Sequence, residues 1–296
     1  MAAVTAPPFL SLKNILVATD FSPCSYTALG YAAALARQQK GKIFLAHVFP
    51  YEPLSPIPMD AAPVFTVPAT KDPRFRMKQA VSLPELAGIE HEALLEQGAF
   101  WPILQQMIEE HDIELVVIGT HGREGIKKLV LGSVAEEIFR RAPCPVVTVG
   151  PHVSAECLHQ GRLRRILFAT DLSVASLHAL PLVSVLAERH QAPVTFLHVL
   201  AAAVPDAVYV ATSFVNAEID QAREQLRAVI PKGLRAHAFI EVGLPSEIIV
   251  RLARAENDSL IIMGLHSQSL FAATHLPWAT AHRVVCDAHC PVLTVR

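Results

Sequence analysis

Ile15-Leu16-Val17-Ala18-Thr19-Asp20-Phe21-Ser22 returns later in the chain as Ile166-Leu167-Phe168-Ala169-Thr170-Asp171-Leu172-Ser173. The register holds without a gap through Ala28-Leu29 over Ala179-Leu180, Leu35-Ala36 over Leu186-Ala187 and His47-Val48 over His198-Val199. Near the far end of each half, Pro143-Cys144-Pro145-Val146-Val147-Thr148-Val149 resembles His289-Cys290-Pro291-Val292-Leu293-Thr294-Val295. A repeat of this length is far longer than a solenoid unit of about 20–50 residues, so it is a duplicated domain. The 296 residues therefore divide into 1–150 and 162–296, joined by the polar stretch 151–161.

Each half alternates strand with helix. Ile15 to Ala18 is a short apolar run; Ser22 suits a helix N-cap, and Pro23 suits the first helical position, where its missing N–H costs nothing. The Ala/Leu-rich stretch to Gln39 predicts a helix, and Ile103 to Glu110 another. Lys42 to Val48, Leu115 to Ile118 and Val146 to Val149 predict further strands; the last two are short β-branched runs of the kind buried on both faces of a parallel sheet. The second half repeats the pattern at Ile166 to Ala169, Val194 to Val199, Ala238 to Val242, Leu260 to Met263 and Val292 to Val295. Alternation of this kind implies an open, doubly wound α/β sheet that binds ligands beyond the carboxyl ends of its strands. Two segments depart from the pattern. Pro181 falls inside the expected first helix of the second half and should kink it or delay its start. Phe49 to Pro84 is Pro-rich and weakly periodic, which predicts a long loop with at most a short helix.

Composition narrows the function classes. Hydrophobic residues are 52% and charged residues 18%, ample for two cores and incompatible with a disordered chain. A net charge of −2 shows no basic excess for nucleic acid or an anionic membrane. The longest purely apolar or small runs, such as Ala28 to Ala36, are about half of the ~18 residues that span a bilayer. Met1 to Lys13 has no basic region ahead of a hydrophobic core, so no signal peptide is expected. Five scattered cysteines, Cys24, Cys144, Cys157, Cys286 and Cys290, fit a reducing cytoplasm better than a disulfide framework.

The most informative segment is Gly119-Thr120-His121-Gly122, then nine residues, then Gly132-Ser133. It follows a strand and precedes a helix that opens Ser133-Val134-Ala135-Glu136, the pattern of a capping box. Glycines let the backbone approach a ligand closely, and N–H groups at a helix N-terminus point at anions. The loop between carries Arg123, Lys127 and Lys128, which could neutralise phosphate charge. Each glycine alone is more often simple turn punctuation, but the whole pattern is more specific. It is neither a Walker A loop nor the dinucleotide fingerprint.

With these residues in view, both halves resemble the universal stress protein family, and the chain resembles its tandem members. Gly-x2-Gly-x9-Gly-Ser matches the family pattern fully at Gly119, Gly122, Gly132 and Ser133. Asn14 to Ser22 matches the family's opening, and the likeness is weakest in Tyr51 to Glu85. The resemblance implies two Rossmann-like domains of the adenine-nucleotide-binding type. Each would be a five-stranded parallel sheet with helices on both faces, holding ATP, with or without Mg²⁺, at the strand ends. It implies that Asp20 faces adenine or ribose, that the Val48 backbone contacts adenine, and that Gly119, Gly122, Gly132 and Ser133 hold ribose and phosphates. Ala18, Thr19, Arg123 and Val134 complete the expected nucleotide contacts. It also implies terminal strands that pair between domains, as a pseudo-dimer within the chain or a homodimer.

Plainer roles stand beside these. Asp20 could serve only as a cap, Val48 as core, and His47 and His198 as satisfied strand histidines. Cys24 is either a thiol activated by a helix N-terminus or a small buried hydrophobe. Cys286, His289 and Cys290, with His282 nearby, lack the paired spacing of a zinc site. The second half loses the phosphate pattern: Gly264-Leu265-His266-Ser267 is followed by Pro277-Trp278, and Leu265 to Leu276 holds no Lys or Arg. Ordinary ATP binding is therefore expected in the first half alone. No attacking-water base and no Mg²⁺ carboxylate pair is evident, and no catalytic residue is assigned. The reading is a nucleotide-responsive stress regulator or scaffold. A slow ATPase or other nucleotide-processing enzyme, and a nucleotide-independent structural dimer, are the alternatives.

Overall fold

The computed structural model describes residues 12–51, 72–120, 131–153, 162–201, 212–265 and 276–296. The first half supplies β1 (Asn14–Ala18), α1 (Pro23–Gln39), β2 (Lys42–Phe49), α2 (Pro73–Val81), β3 (Glu90–Gln97), α3 (Phe100–Glu110), β4 (Leu115–Gly119), α4 (Ser133–Arg141) and β5 (Val146–Val149). The second supplies β6 (Ile166–Ala169), α5 (Val174–Leu177), α6 (Leu180–His190), β7 (Val194–Leu200), α7 (Thr212–Val229), β8 (Ala236–Val242), α8 (Pro245–Ala255), β9 (Leu260–Gly264), α9 (Leu276–Asp287) and β10 (Val292–Val295). The strands form one sheet in the order β3-β2-β1-β4-β5-β10-β9-β6-β7-β8. Each half is a parallel five-stranded sheet, and the halves meet antiparallel where Leu293 lies opposite Val147.

Side-chain alternation along the strands splits the core in two. Ile15, Val17, Ile43, Leu45 and Val117 face one side with α1, α2, α6 and α7. Leu16, Phe44, Val116 and Ile118 face the other with α3, α4, α8 and α9. Both apolar layers run through the β5–β10 seam: Val147 and Leu293 share one, Val146 and Val292 the other. The terminal strands are thus used within the chain and lie mid-sheet; the free edges are β3 and β8.

Local chemistry explains most element boundaries. Ser22 Oγ accepts from the Ser25 N–H and caps α1 with Pro23 at the start; Ser173 caps α5 in the same way. Pro181 divides what is one helix in the first half into a single turn, α5, and a new helix, α6, that carries the proline in its first turn. The Pro-rich region of the first half contains the nine-residue helix α2, with Asp72 as its cap; residues 52–71 lie outside the described residues. The strand after it, β3, has no counterpart in the sequence reading. Glu90, Glu92 and Glu96 alternate along it because it is a sheet edge, and Lys42 of β2 pairs with Glu90 and Glu92.

One expectation is corrected. Gly132, not Ser133, is the N-cap of α4, and no side chain caps that helix. Glu136 pairs instead with Arg140, one turn on. The Ser133 side chain is exposed rather than committed to a cap.

Candidate nucleotide site

The turn after β1 is built by its own side chains. The Thr19 N–H donates to the Ala46 carbonyl at 2.9 Å and locks β1 to β2. Thr19 Oγ1 accepts from the Phe21 N–H at 2.9 Å, and Asp20 Oδ1 accepts from the Ser22 N–H at 2.9 Å. These bonds hold Phe21 at φ 61°, a left-handed conformation that costs a non-glycine residue energy. The second half reproduces the turn: Thr170 bonds the Leu172 N–H, Asp171 bonds the Ser173 N–H, and Leu172 has φ 64°. Among the described residues, only the first half adds a clamp, from α2. There Arg76 stacks on the Phe21 ring at 4.8 Å and donates to the Phe21 carbonyl at 2.9 Å. His47 is buried, with Nδ1 2.6 Å from the Thr19 carbonyl oxygen, and His198 repeats this contact to Thr170 at 2.9 Å. Both are satisfied strand histidines, as the plain reading has it.

On the other side, the Gly132 N–H donates to the Thr120 carbonyl at 2.9 Å, which brings the start of α4 against the carboxyl end of β4. Between the two turns lies a cavity of about 180 Å³. It is lined by Ala18, Thr19, Asp20, Val48, Gly119, Gly132, Ser133 and Val134, so these candidates converge on one space. Gly122 and Arg123, with Lys127 and Lys128, lie outside the described residues. The N-terminal N–H groups of α4 have no intrahelical partners, so this corner is suited to an anion.

Sequence reasoning missed Phe100 and Leu104 of α3 and Ile138 of α4, which form the apolar wall. Their signal is ordinary helix amphipathicity and does not mark a pocket. It also gave Gly119 too narrow a role. A Cβ there would stand 2.8 Å from the Cys24 carbonyl carbon, so glycine is required where β4 meets α1 whatever the ligand. Gly264 obeys the same rule, with a Cβ 2.4 Å from Ser176.

The second half keeps a cavity of about 210 Å³ lined by Asp171, Val199, Gly264 and Thr170. Its chemistry differs. Pro245 stands where Phe100 does, and α9 begins Leu276-Pro277, so its first turn lacks one N–H donor. Residues 266–275 lie outside the described residues.

Cys157 lies outside the described residues, and two of the buried cysteines are poor nucleophiles. Burial pushes the Cys144 thiol up to about 12 and the Cys286 thiol up to about 11, away from reactive thiolate. Among the described residues no three His, Cys, Asp or Glu side chains are grouped to hold a metal, and no helix is long and apolar enough to cross a membrane.

Comparison with known proteins agrees with this architecture. Universal stress protein MJ0531 of Methanocaldococcus jannaschii is 25% identical over 138 residues, covering 46% of this chain and 81% of that protein. Universal stress protein A homolog 1 of Coxiella burnetii is 29% identical, covering 46% of this chain and 95% of its own. A crystal structure of a universal stress protein from Archaeoglobus fulgidus covers 96% of this chain and 98% of its own at a TM-score of 0.62 and 20% identity, a likeness of fold. The universal stress protein family itself matches twice, over residues 11–150 and 162–296. The chain belongs to the universal stress protein family and carries two of its domains in tandem.

Proposed function

We propose that the first half binds ATP or a related adenine nucleotide, with or without Mg²⁺, and that the second half does not. The observation that carries this reading is the convergence of Asp20, Val48, Gly132 and Ser133 on one cavity at the carboxyl ends of the strands. An apolar wall of Phe100, Leu104 and Ile138 suits a base, and the uncapped start of α4 suits phosphates. Arg123, Lys127 and Lys128 supply countercharge from the same loop. Binding rather than turnover is the role this reading gives the cavity, with slow hydrolysis as its alternative. The chain then acts as a nucleotide-responsive regulator or scaffold in a stress response, in a reducing cytoplasm.

Titration calorimetry of the full chain with ATP tests this. One nucleotide binds, and Gly132→Asp removes it. Gly132 has φ −60° and ψ 149°, an extended cap conformation that aspartate adopts readily. The variant therefore folds while placing a carboxylate on the phosphate position. Unchanged affinity in Gly132→Asp sinks the site assignment.

A further inference from the structure

A third cavity, of about 220 Å³, lies at the amino ends of β9 and β10, away from the strand ends that form the nucleotide cavity. It holds far more than the ~10–15 Å³ that one water needs, yet is smaller than the ~300 Å³ of drug-sized pockets. The antiparallel seam creates it. Because β5 runs against β10, His152, just past β5, arrives beside His289, just ahead of β10, and the two imidazoles stack at 5.6 Å.

Asp258 lines this cavity and is 4% exposed. Its backbone N–H donates to the Ala253 carbonyl at 2.8 Å, so the main chain is satisfied. Neither carboxylate oxygen has a hydrogen-bond partner among the described residues. Arg165, a cation whose charge reaches Asp258, is paired with Glu256. A buried carboxylate without donors is costly and calls for a reason.

The duplication shows that the fold does not require it. Ile113 occupies the corresponding place before β4, equally buried, after a matching left-handed residue: Asp112 at φ 48°, Asn257 at φ 52°. Pro143 stands where His289 does. The acid and the imidazole are therefore present at these places in the second half alone. Arg254 and Asn257 are exposed and also line the cavity, so one cation stands at its mouth. Burial, and after it the charges of Arg254 and His152, hold the His289 imidazole below its ordinary range.

We propose that this junction cavity is a ligand site for a compact zwitterion bearing a protonated amine and a carboxylate. The amine donates to Asp258 at the floor, and the carboxylate faces Arg254 at the mouth. A metal ion is the poorer occupant, since no three ligating side chains are grouped among the described residues. The site is independent of the nucleotide reading.

The test is calorimetry of the full chain with alanine, γ-aminobutyrate, propylamine, propionate and Zn²⁺, backed by thermal shift. At least one zwitterion binds saturably and raises Tm, and more tightly than propylamine or propionate. Asp258→Asn weakens it at least about tenfold, from loss of a charged hydrogen bond. Asp258→Ile, which copies the first half, folds with a higher Tm and does not bind. Arg254→Gln weakens the zwitterion but not propylamine. The proposal is overturned if no zwitterion binds saturably, if propylamine binds as well, if Asp258→Asn binds unchanged, or if Zn²⁺ alone binds.

Discussion

The two cavities at the carboxyl ends of the strands are the same scaffold with different chemistry. Both have the Thr-Asp turn held by its own hydroxyl and carboxylate, the left-handed residue after it, the histidine bonded to the threonine carbonyl, and a glycine demanded by helix packing. They differ in what lies beyond: Gly132-Ser133 against Pro277-Trp278, three Lys and Arg residues in the loop against none, and Phe100 against Pro245. The shared parts keep the sheet and its first helix together. What distinguishes the halves is what a phosphate would need.

The largest expected effect breaks this contrast at its centre. Gly132→Asp abolishes ATP binding, whereas Pro277→Gly with Trp278→Ser does not create it, because Leu265 to Leu276 still lacks any Lys or Arg. Calorimetry of both variants decides this, and tight binding to the second variant would show that the glycine-serine pair alone suffices.

Next in size is a difference in stability that depends on pH. Burial raises the Asp258 carboxyl from 3.8 to about 7. Between those values the unfolded chain is ionised while the folded chain keeps its proton, so Asp258 costs stability increasingly as pH rises from 4 to 7. Asp258→Ile should therefore stabilise by about 4 kcal/mol at pH 8 and by little on this account at pH 4. Urea unfolding at the two values measures it, and a gain that is the same at both would refute the buried-acid account.

Glycine packing comes third. Gly119→Ala and Gly264→Ala should each cost about 1–3 kcal/mol, with Gly264 the more sensitive because its approach is closer. Similar losses in both halves would show that these glycines serve helix–strand packing in either domain. A neutral result in denaturant unfolding would contradict it. The smallest effect belongs to the Arg76 clamp of the first half. Arg76→Ala should cost about 0.5–1 kcal/mol by removing the stack on Phe21. No change in the urea midpoint would mean the contact carries no stability.

Much of this fold is legible in the sequence because buried parallel strands are short apolar runs and the repeat shows each twice. The strand β3 is not legible, because the charges of Glu90, Glu92 and Glu96 mask its short apolar stretch; its counterpart in the second half, β8, with Phe239 and Ile240, is. The site is legible where close backbone approach dictates residue type, as at Gly119, where a Cβ would meet the Cys24 backbone. It is illegible where tertiary packing decides, as at Phe100. Asp258 is the extreme case: Glu-Asn-Asp-Ser between a helix and a strand reads as a solvated turn, and only its burial makes it unusual.

The central claim, one scaffold used twice and one phosphate site kept, is tested most directly by the stoichiometry of ATP on the full chain. Equilibrium dialysis should give one nucleotide per chain for the native protein and none for Gly132→Asp. Two per chain, or one that survives Gly132→Asp, would contradict it.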